Sequence, residues 1–315
     1  MAGTPGTLKR RSRRGTDYWV REHVRVDGRK DDEHLGTVAS VASARIKELR
    51  AEIELGRALA SGSSLLRVLG YQRLERKTAA VLAALFNRRL FEAGLVLVGS
   101  HAYAALLNEC GVMAPGYSTR DIDVARSQPL AIALPPGLDF GRLLNESGLE
   151  FTAVPGMPSH RPSASFKLPG AEALAVDLLV PGKSAGEVVP VNELGAHAQT
   201  VPLLDFLVKE PLDAIVLSPN QVVPVRVPSP ERFALHKLYS SQSRKADRDK
   251  VRKDLGQAAV LLTVIEEEMP GRIGNALRSL PASGRPAVAR GARAAAKLIG
   301  ESHPEVLALL QRLGR

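Results

Sequence analysis

Three short runs decide the fold: LVLVGSHAYAALLNEC at 95–110, STRDIDVA at 118–125 and ALAVDLLV at 173–180. Leu95–Val98 is a continuous apolar run, the pattern of a strand buried on both faces. Gly99-Ser100 ends it, and the sequence from His101 to Cys110 predicts a helix. Asp121-Ile122-Asp123-Val124 reads as a second short strand and Ala173–Val180 as a third. More short strands are expected over 213–227, where Ile215-Val216-Leu217 and Val222–Val227 lie between prolines. The Pro- and Gly-rich stretch 127–170 should hold loops and one helix around Phe140–Asn145. This order of elements implies an α/β core over 94–228.

On the N-terminal side, residues 1–16 read as a basic disordered tail, with Lys9, Arg10, Arg11, Arg13 and Arg14 inside six positions. Residues 17–93 read as a small β-hairpin and helices. Alternating apolar residues run from Tyr18 to Val26, and Asp27-Gly28 is a two-residue hairpin signal. Helical patterns cover 40–60 and 72–93; in the second, Ala79, Leu82, Ala83, Phe86 and Leu90 recur at helical spacing. On the C-terminal side, residues 229–315 read as a helical lobe. Pro230-Glu231 suits a first helical turn, helices are expected at 231–242 and 245–268, Pro270-Gly271 stops the second, and two more fall within 286–313.

Composition narrows the function classes. The chain has 315 residues, 44% of them hydrophobic, and a mean hydropathy of −0.05, which suits a globular protein with a sizeable core. No stretch reaches the length of uncharged apolar sequence that crosses a bilayer, and the N-terminal residues lack the apolar run of a secretory signal. The single cysteine, Cys110, excludes an internal disulfide framework and a cysteine-rich zinc module. A reducing cytoplasm is the expected compartment. Net charge is +10 and concentrates at the ends, +6 in residues 1–30 and +6 in residues 271–315. Such ends suit a polyanionic partner such as RNA or DNA, and equally a basic tail and a solvated helical face. With aromatics at 4%, base-stacking platforms are not expected.

The chemistry sits in the core runs. Gly99 permits close approach of a ligand to the backbone, and the amides of the following helix start, with the Ser100 hydroxyl, suit a phosphate. Alternate strand residues share a face, so Asp121 and Asp123 project together while Ile122 enters the core. Asp177 lies in a strand otherwise fit for burial. Paired carboxylates repel unless a cation lies between them. Mg²⁺, or Mn²⁺ in its place, takes hard oxygen ligands and keeps substrate phosphates in its shell. Asp121 and Asp123 would hold such ions against a nucleoside triphosphate (NTP). Asp177 would hold a second metal or accept the proton of an attacking hydroxyl. In-line attack on the α-phosphorus then releases pyrophosphate.

Two other patterns fail as sites. Gly182-Lys183-Ser184 mimics the end of a Walker A loop, but the first glycine of that motif would fall at Asp177. The seven histidines show no metal-ligand spacing, and His101 reads as a pocket-wall residue.

The runs LVLVGSHAYAALLNECGV, STRDIDVA and ALAVDLLVP resemble the nucleotidyltransferase superfamily with the polymerase-beta-like fold. That family's signature is a hydrophobic strand, Gly-Ser or Gly-Gly, an Asp-x-Asp pair and a later third acid. Gly99, Ser100, Asp121, Asp123 and Asp177 match it residue by residue. VRVPSPERFALHKLYSSQSR at 225–244 and KVRKDLGQAAVLL at 250–262, with the opening YWVREHVRVDGRK, are similar to the bacterial GSLNT group. The resemblance implies a mixed sheet with flanking helices, Mg²⁺, an NTP, and nucleotidyl transfer to a hydroxyl. More distant relatives are the abortive-infection type toxins, some of which modify the acceptor end of tRNA. A toxin–antitoxin or phage-defence role with a cognate antitoxin follows as an implication. Lys237 and Lys253-Asp254 look like those relatives' nucleotide-proximal positions, while Gln257 stands where they carry an Asp. The long gap between Ser100 and Asp121 departs from small nucleotidyltransferases and implies an inserted loop at 108–119.

Within 236–253, His236, Lys237, Arg244, Lys245, Arg248, Lys250, Arg252 and Lys253 crowd together. Phe233, Leu235 and Leu238 should pack the helix and aim Lys237 inward, onto the triphosphate. The remaining basic residues suit a solvated face with internal ion pairs. The acceptor is expected to be RNA, such as tRNA, or protein. Two rivals stand beside this reading: an inactive nucleotide- or nucleic-acid-binding module on the same fold, and an antibiotic nucleotidyltransferase.

Overall fold

The structure, a computed structural model, describes all residues except 1–4, 27, 118, 127, 129–137, 157–161, 171–172, 244–246, 300, 302 and 315. It opens with a three-stranded antiparallel sheet of β1 (Thr7–Arg13), β2 (Thr16–Val24) and β3 (Lys30–Thr37). Three helices follow: α1 (Ser43–Val68), α2 (Arg76–Asn87) and α3 (Leu90–Ala93). The core then runs through β4 (Val96–Val98), α4 (Gly99–Glu109), β5 (Asp121–Ala125), α5 (Phe140–Asn145), β6 (Thr152–Ala153), β7 (Ser165–Lys167) and β8 (Ala175–Pro181). It continues with β9 (Val188–Val191), β10 (Ala196–Val201), α6 (Leu204–Leu207), and a hairpin of β11 (Leu212–Leu217) and β12 (Val222–Val227). The C-terminal lobe is α7 (Pro230–Ser243), α8 (Arg248–Glu268), α9 (Arg272–Arg278), α10 (Arg285–Ile299) and α11 (Pro304–Leu313).

The sequence expectation of a disordered tail over 1–16 is corrected over its described part. Residues 7–13 form a strand paired in register with β2, from Thr7 opposite Glu22 to Arg13 opposite Thr16. The reason is electrostatic. Lys9 and Arg11 meet Glu22 at 2.8 and 3.0 Å, Arg11 also meets Asp32 at 3.0 Å, and the Arg10 guanidinium lies 4.8 Å over the Trp19 ring. A basic run that repels itself in isolation is neutralised by cross-strand acids. The expected turn before β3 lies at 25–29, with Asp27 outside the described residues.

The central sheet is mixed, as the α/β reading expects. Its path is β4-β5-β8-β10-β9, with β7 sharing the second edge of β8 and β6 beyond it. β4 runs antiparallel to β5, whereas β5 and β8 are parallel. Leu95–Val98, Ile122, Val124, Val176 and Leu178 are buried on this sheet, and α2 contributes Ala79–Leu85 to the same core. The predicted helix 72–93 divides into α2 and α3 because Arg89 adopts a left-handed φ of 59°. The helix expected at 245–268 starts at Arg248 because the Asp247 side chain accepts from the Lys250 amide at 3.0 Å and caps it. Pro230 opens α7 at its first position, as its fixed φ favours.

Candidate active site

The strand register brings the three acids together. Asp123 stands directly opposite Asp177 across the parallel β5–β8 pair, and Asp121 lies two positions earlier on β5. Cross-strand partners and alternate residues share a face, so all three carboxylates project from one face of the sheet, with Ile122 and Val176 buried on the other. Asp121 is exposed, and Asp123 and Asp177 are half-buried. Asp177 also faces Ser165 across β7, whose side chain hydrogen-bonds to its carboxylate. Burial pushes the Asp177 carboxyl above the usual range, against that bond, and the negative charge of Asp121 adds to the rise.

The strand–helix junction closes on this face. Val98 pairs with Asp123, so α4 begins where the carboxylates stand. Gly99 has a φ of +67°, and a Cβ there would fall inside the Asp123 carboxylate. Only glycine lets the helix start this close to the acid. The first turn of α4 holds no acidic residue and no capping side chain. Ser100 is buried at its second position.

A nucleotidyltransferase family model matches residues 76–282, about two thirds of the chain. The chain belongs to this family. A solved structure of an antigenic nucleotidyltransferase-like protein from Paracoccidioides brasiliensis matches at 16% identity over 69% of this chain and 91% of that one. Its TM-score is 0.32, a likeness too slight to carry an argument. No curated protein matches.

Divalent-cation chemistry has a donor set to draw on in this nucleotidyltransferase. Three carboxylates share one face, one of them, Asp177, pushed up by burial and a like charge. Among the described residues, no three His, Cys, Asp or Glu side chains close into a ready-made metal cage.

The helical lobe departs from the sequence expectation for Lys237. Its side chain does point inward, as the packing of Phe233, Leu235 and Leu238 predicts, but it ends on Asp254 at 2.7 Å instead of in an open cleft. Lys237 is 8% exposed and Asp254 1%. The Ser240 hydroxyl donates to the other Asp254 oxygen at 2.9 Å. This pair ties α7 to α8. Lys253, the residue before Asp254, meets a different partner. Its ammonium lies 5.6 Å over the Tyr117 ring, and its charge reaches His101, the neighbour of Ser100. An open cleft of about 350 Å³ lies beside it, lined by Tyr117, Asp249, Lys250, Arg252 and Lys253. Arg244 and Lys245 lie outside the described residues.

The sequence reading missed two features. Tyr117, from the segment between α4 and β5, packs on the α8 turn at Gly256 and stands 5.9 Å from Tyr103. Buried polar atoms on α4 and α8 are also unmatched: His101 Nε2, the Tyr103 hydroxyl and both amide atoms of Gln257 have no hydrogen-bond partner among the described residues. Burial first, and then Lys253, holds the His101 imidazole down to about 4, so it is neutral at physiological pH. The departure at Gln257 was the sequence signal for the last of these.

Proposed function

We propose that this nucleotidyltransferase moves a nucleoside monophosphate from an NTP, such as ATP, to a hydroxyl of an acceptor and releases pyrophosphate. The observation that carries the reading is the register of Asp123 opposite Asp177, with Asp121 on the same face, at the point where Gly99 opens α4. Asp121 and Asp123 would hold Mg²⁺ or Mn²⁺, which supplies charge neutralisation for the triphosphate when bound. The first-turn amides of α4 and the Ser100 hydroxyl hold phosphate oxygens, and Lys253 adds a positive charge nearby. Asp177, made more basic by its surroundings, accepts the proton of the acceptor hydroxyl. The acceptor oxygen bonds to the α-phosphorus as the bond from that phosphorus to the pyrophosphate oxygen breaks.

An RNA acceptor is favoured by the C-terminal lobe. Arg290, Arg293 and Lys297 share one exposed face of α10 with no ion pair among the described residues, although Arg293 donates to the Gly314 carbonyl. In the N-terminal basic run, by contrast, Lys9 and Arg11 are ion-paired to Glu22. The test supplies each α-labelled NTP with Mg²⁺ and a cell extract and follows label into RNA, protein and small molecules. Label should enter the RNA fraction and vanish with Asp121→Ala/Asp123→Ala. Undiminished labelling by a folded double variant excludes this site. Tight NTP binding with no transfer to any fraction would leave a binding module instead.

A further inference from the structure

The long helix α1 uses only one of its faces. Ile46, Leu49 and Ile53 are buried, and the Ser63 hydroxyl donates to the Ser218 carbonyl at 2.8 Å, which seats the helix on the rest of the chain. The opposite face is apolar and open. Leu55, Leu59 and Leu65, with Leu69 capping the helix end, are 61%, 44%, 65% and 57% exposed. At the centre of these leucines sits Gly62, where an added Cβ would meet nothing within 4 Å. Its φ is not left-handed, so nothing in this chain calls for glycine. In a helix interior that choice is destabilising relative to alanine.

We propose that this face binds a second copy of the same chain, as an antiparallel pair of α1 helices crossing at Gly62. The sequence is symmetric about that point. Leu59 and Leu65 lie three residues to either side, Ala58 and Leu66 four, Leu55 and Leu69 seven. In a two-fold contact the same patch meets itself, so a residue before the axis faces the residue equally far after it. A partner of another kind would impose no such symmetry. Glycine at the axis lets the two backbones approach closely, and the pattern of three and four is that of a helix-pair seam.

The area supports a modest complex. The four exposed leucines carry on the order of 250 Å² of apolar side chain per copy, or about 500 Å² in a pair. Stable interfaces begin near ~1,200 Å² in total. Leu66, Ala58, Ser61 and the bare backbone at Gly62 must supply the rest. The expected Kd is therefore in the ~μM range.

Sedimentation velocity of the full chain at tens of micromolar tests this. The unchanged protein should run as a dimer. Gly62→Lys, which removes a helix-weakening residue and clashes with nothing in its own chain, should run as a monomer with no loss of Tm. Leu55→Glu and Leu69→Lys should each be monomeric. The double variant Leu55→Glu/Leu69→Lys should recover the dimer, because each glutamate then faces the lysine of the other copy. The two lie fourteen residues apart, too far to pair along one helix. A monomeric wild-type chain overturns the proposal, and so does a dimer indifferent to Gly62→Lys. Failure of the double variant to recover the dimer overturns the antiparallel pairing. A monomer that floats with anionic lipid vesicles through these leucines would assign the face to a membrane surface instead.

Discussion

Asp254 and Asp177 are both carboxylates withdrawn from water, and the chain treats them in opposite ways. Asp254 is 1% exposed and fully matched: Lys237 at 2.7 Å on one oxygen, Ser240 at 2.9 Å on the other. Asp177 has a serine partner, and the charged group that perturbs it is another acid, Asp121. A buried charge that serves the fold must be compensated from within, because an uncompensated one costs several kcal/mol. A carboxylate left among like charges is tolerable where a ligand supplies the positive charge. On this contrast Asp254 serves the fold, whereas residue type alone left it beside Asp177 as a candidate for the site.

The sharpest way to break this contrast is at Asp254. Asp254→Asn strands the Lys237 ammonium in the interior and should cost about 3–5 kcal/mol of stability, read as a fall in the denaturant midpoint. Replacing both partners, Lys237→Met with Asp254→Leu, should recover most of that loss, since apolar packing substitutes for a buried pair. The paired variant should also retain NTP binding by calorimetry. Normal stability in Asp254→Asn, or loss of NTP binding in a stable paired variant, would move this pair from the fold to the site.

His101 offers a second measurement on the catalytic side. Its folded value of about 4 lies below the ordinary 6.5. The unfolded chain therefore binds the proton first, and stability is complete above pH ~6.5 and falls as pH drops toward ~4. Integrated over that window, the loss is on the order of 3 kcal/mol. His101→Gln should flatten this acid limb in a Tm-versus-pH series. An unchanged limb would mean that the imidazole finds a partner on protonation.

How much of this was legible follows from where each signal resides. The core strands and the Asp121/Asp123 pair were readable because apolar runs and period-two spacing are local. The juxtaposition with Asp177 was readable only as a family pattern, because strand register over fifty residues is not a local property. β6 and β7 were lost, since two- and three-residue strands have no periodicity to detect, and with them the Ser165 partner of Asp177. The N-terminal strand was misread because its acids, Glu22 and Asp32, lie on other strands, so the run looked uncompensated. Lys237 was aimed correctly but given the wrong destination. Helix periodicity tells which face is buried and is silent on which residue of the next helix waits there.

The smallest expected effect tests the contrast from the other side. Asp177 keeps its proton longer in the folded chain than in the unfolded one, because burial and Asp121 raise it. The folded state therefore binds more protons as pH climbs out of the carboxylate range, and stability declines over that window. Below the ordinary value of 3.8 both states are protonated and the penalty is absent. Asp177→Asn should thus raise Tm slightly at neutral pH, with the gain vanishing in acid, while nucleotidyl transfer falls. Mg²⁺ should narrow the same gap by stabilising the wild-type chain more than the variant, since a cation beside Asp121 and Asp123 relieves the repulsion. A fall in Tm at neutral pH on removing this carboxylate would show that the fold depends on it, and would erase its distinction from Asp254.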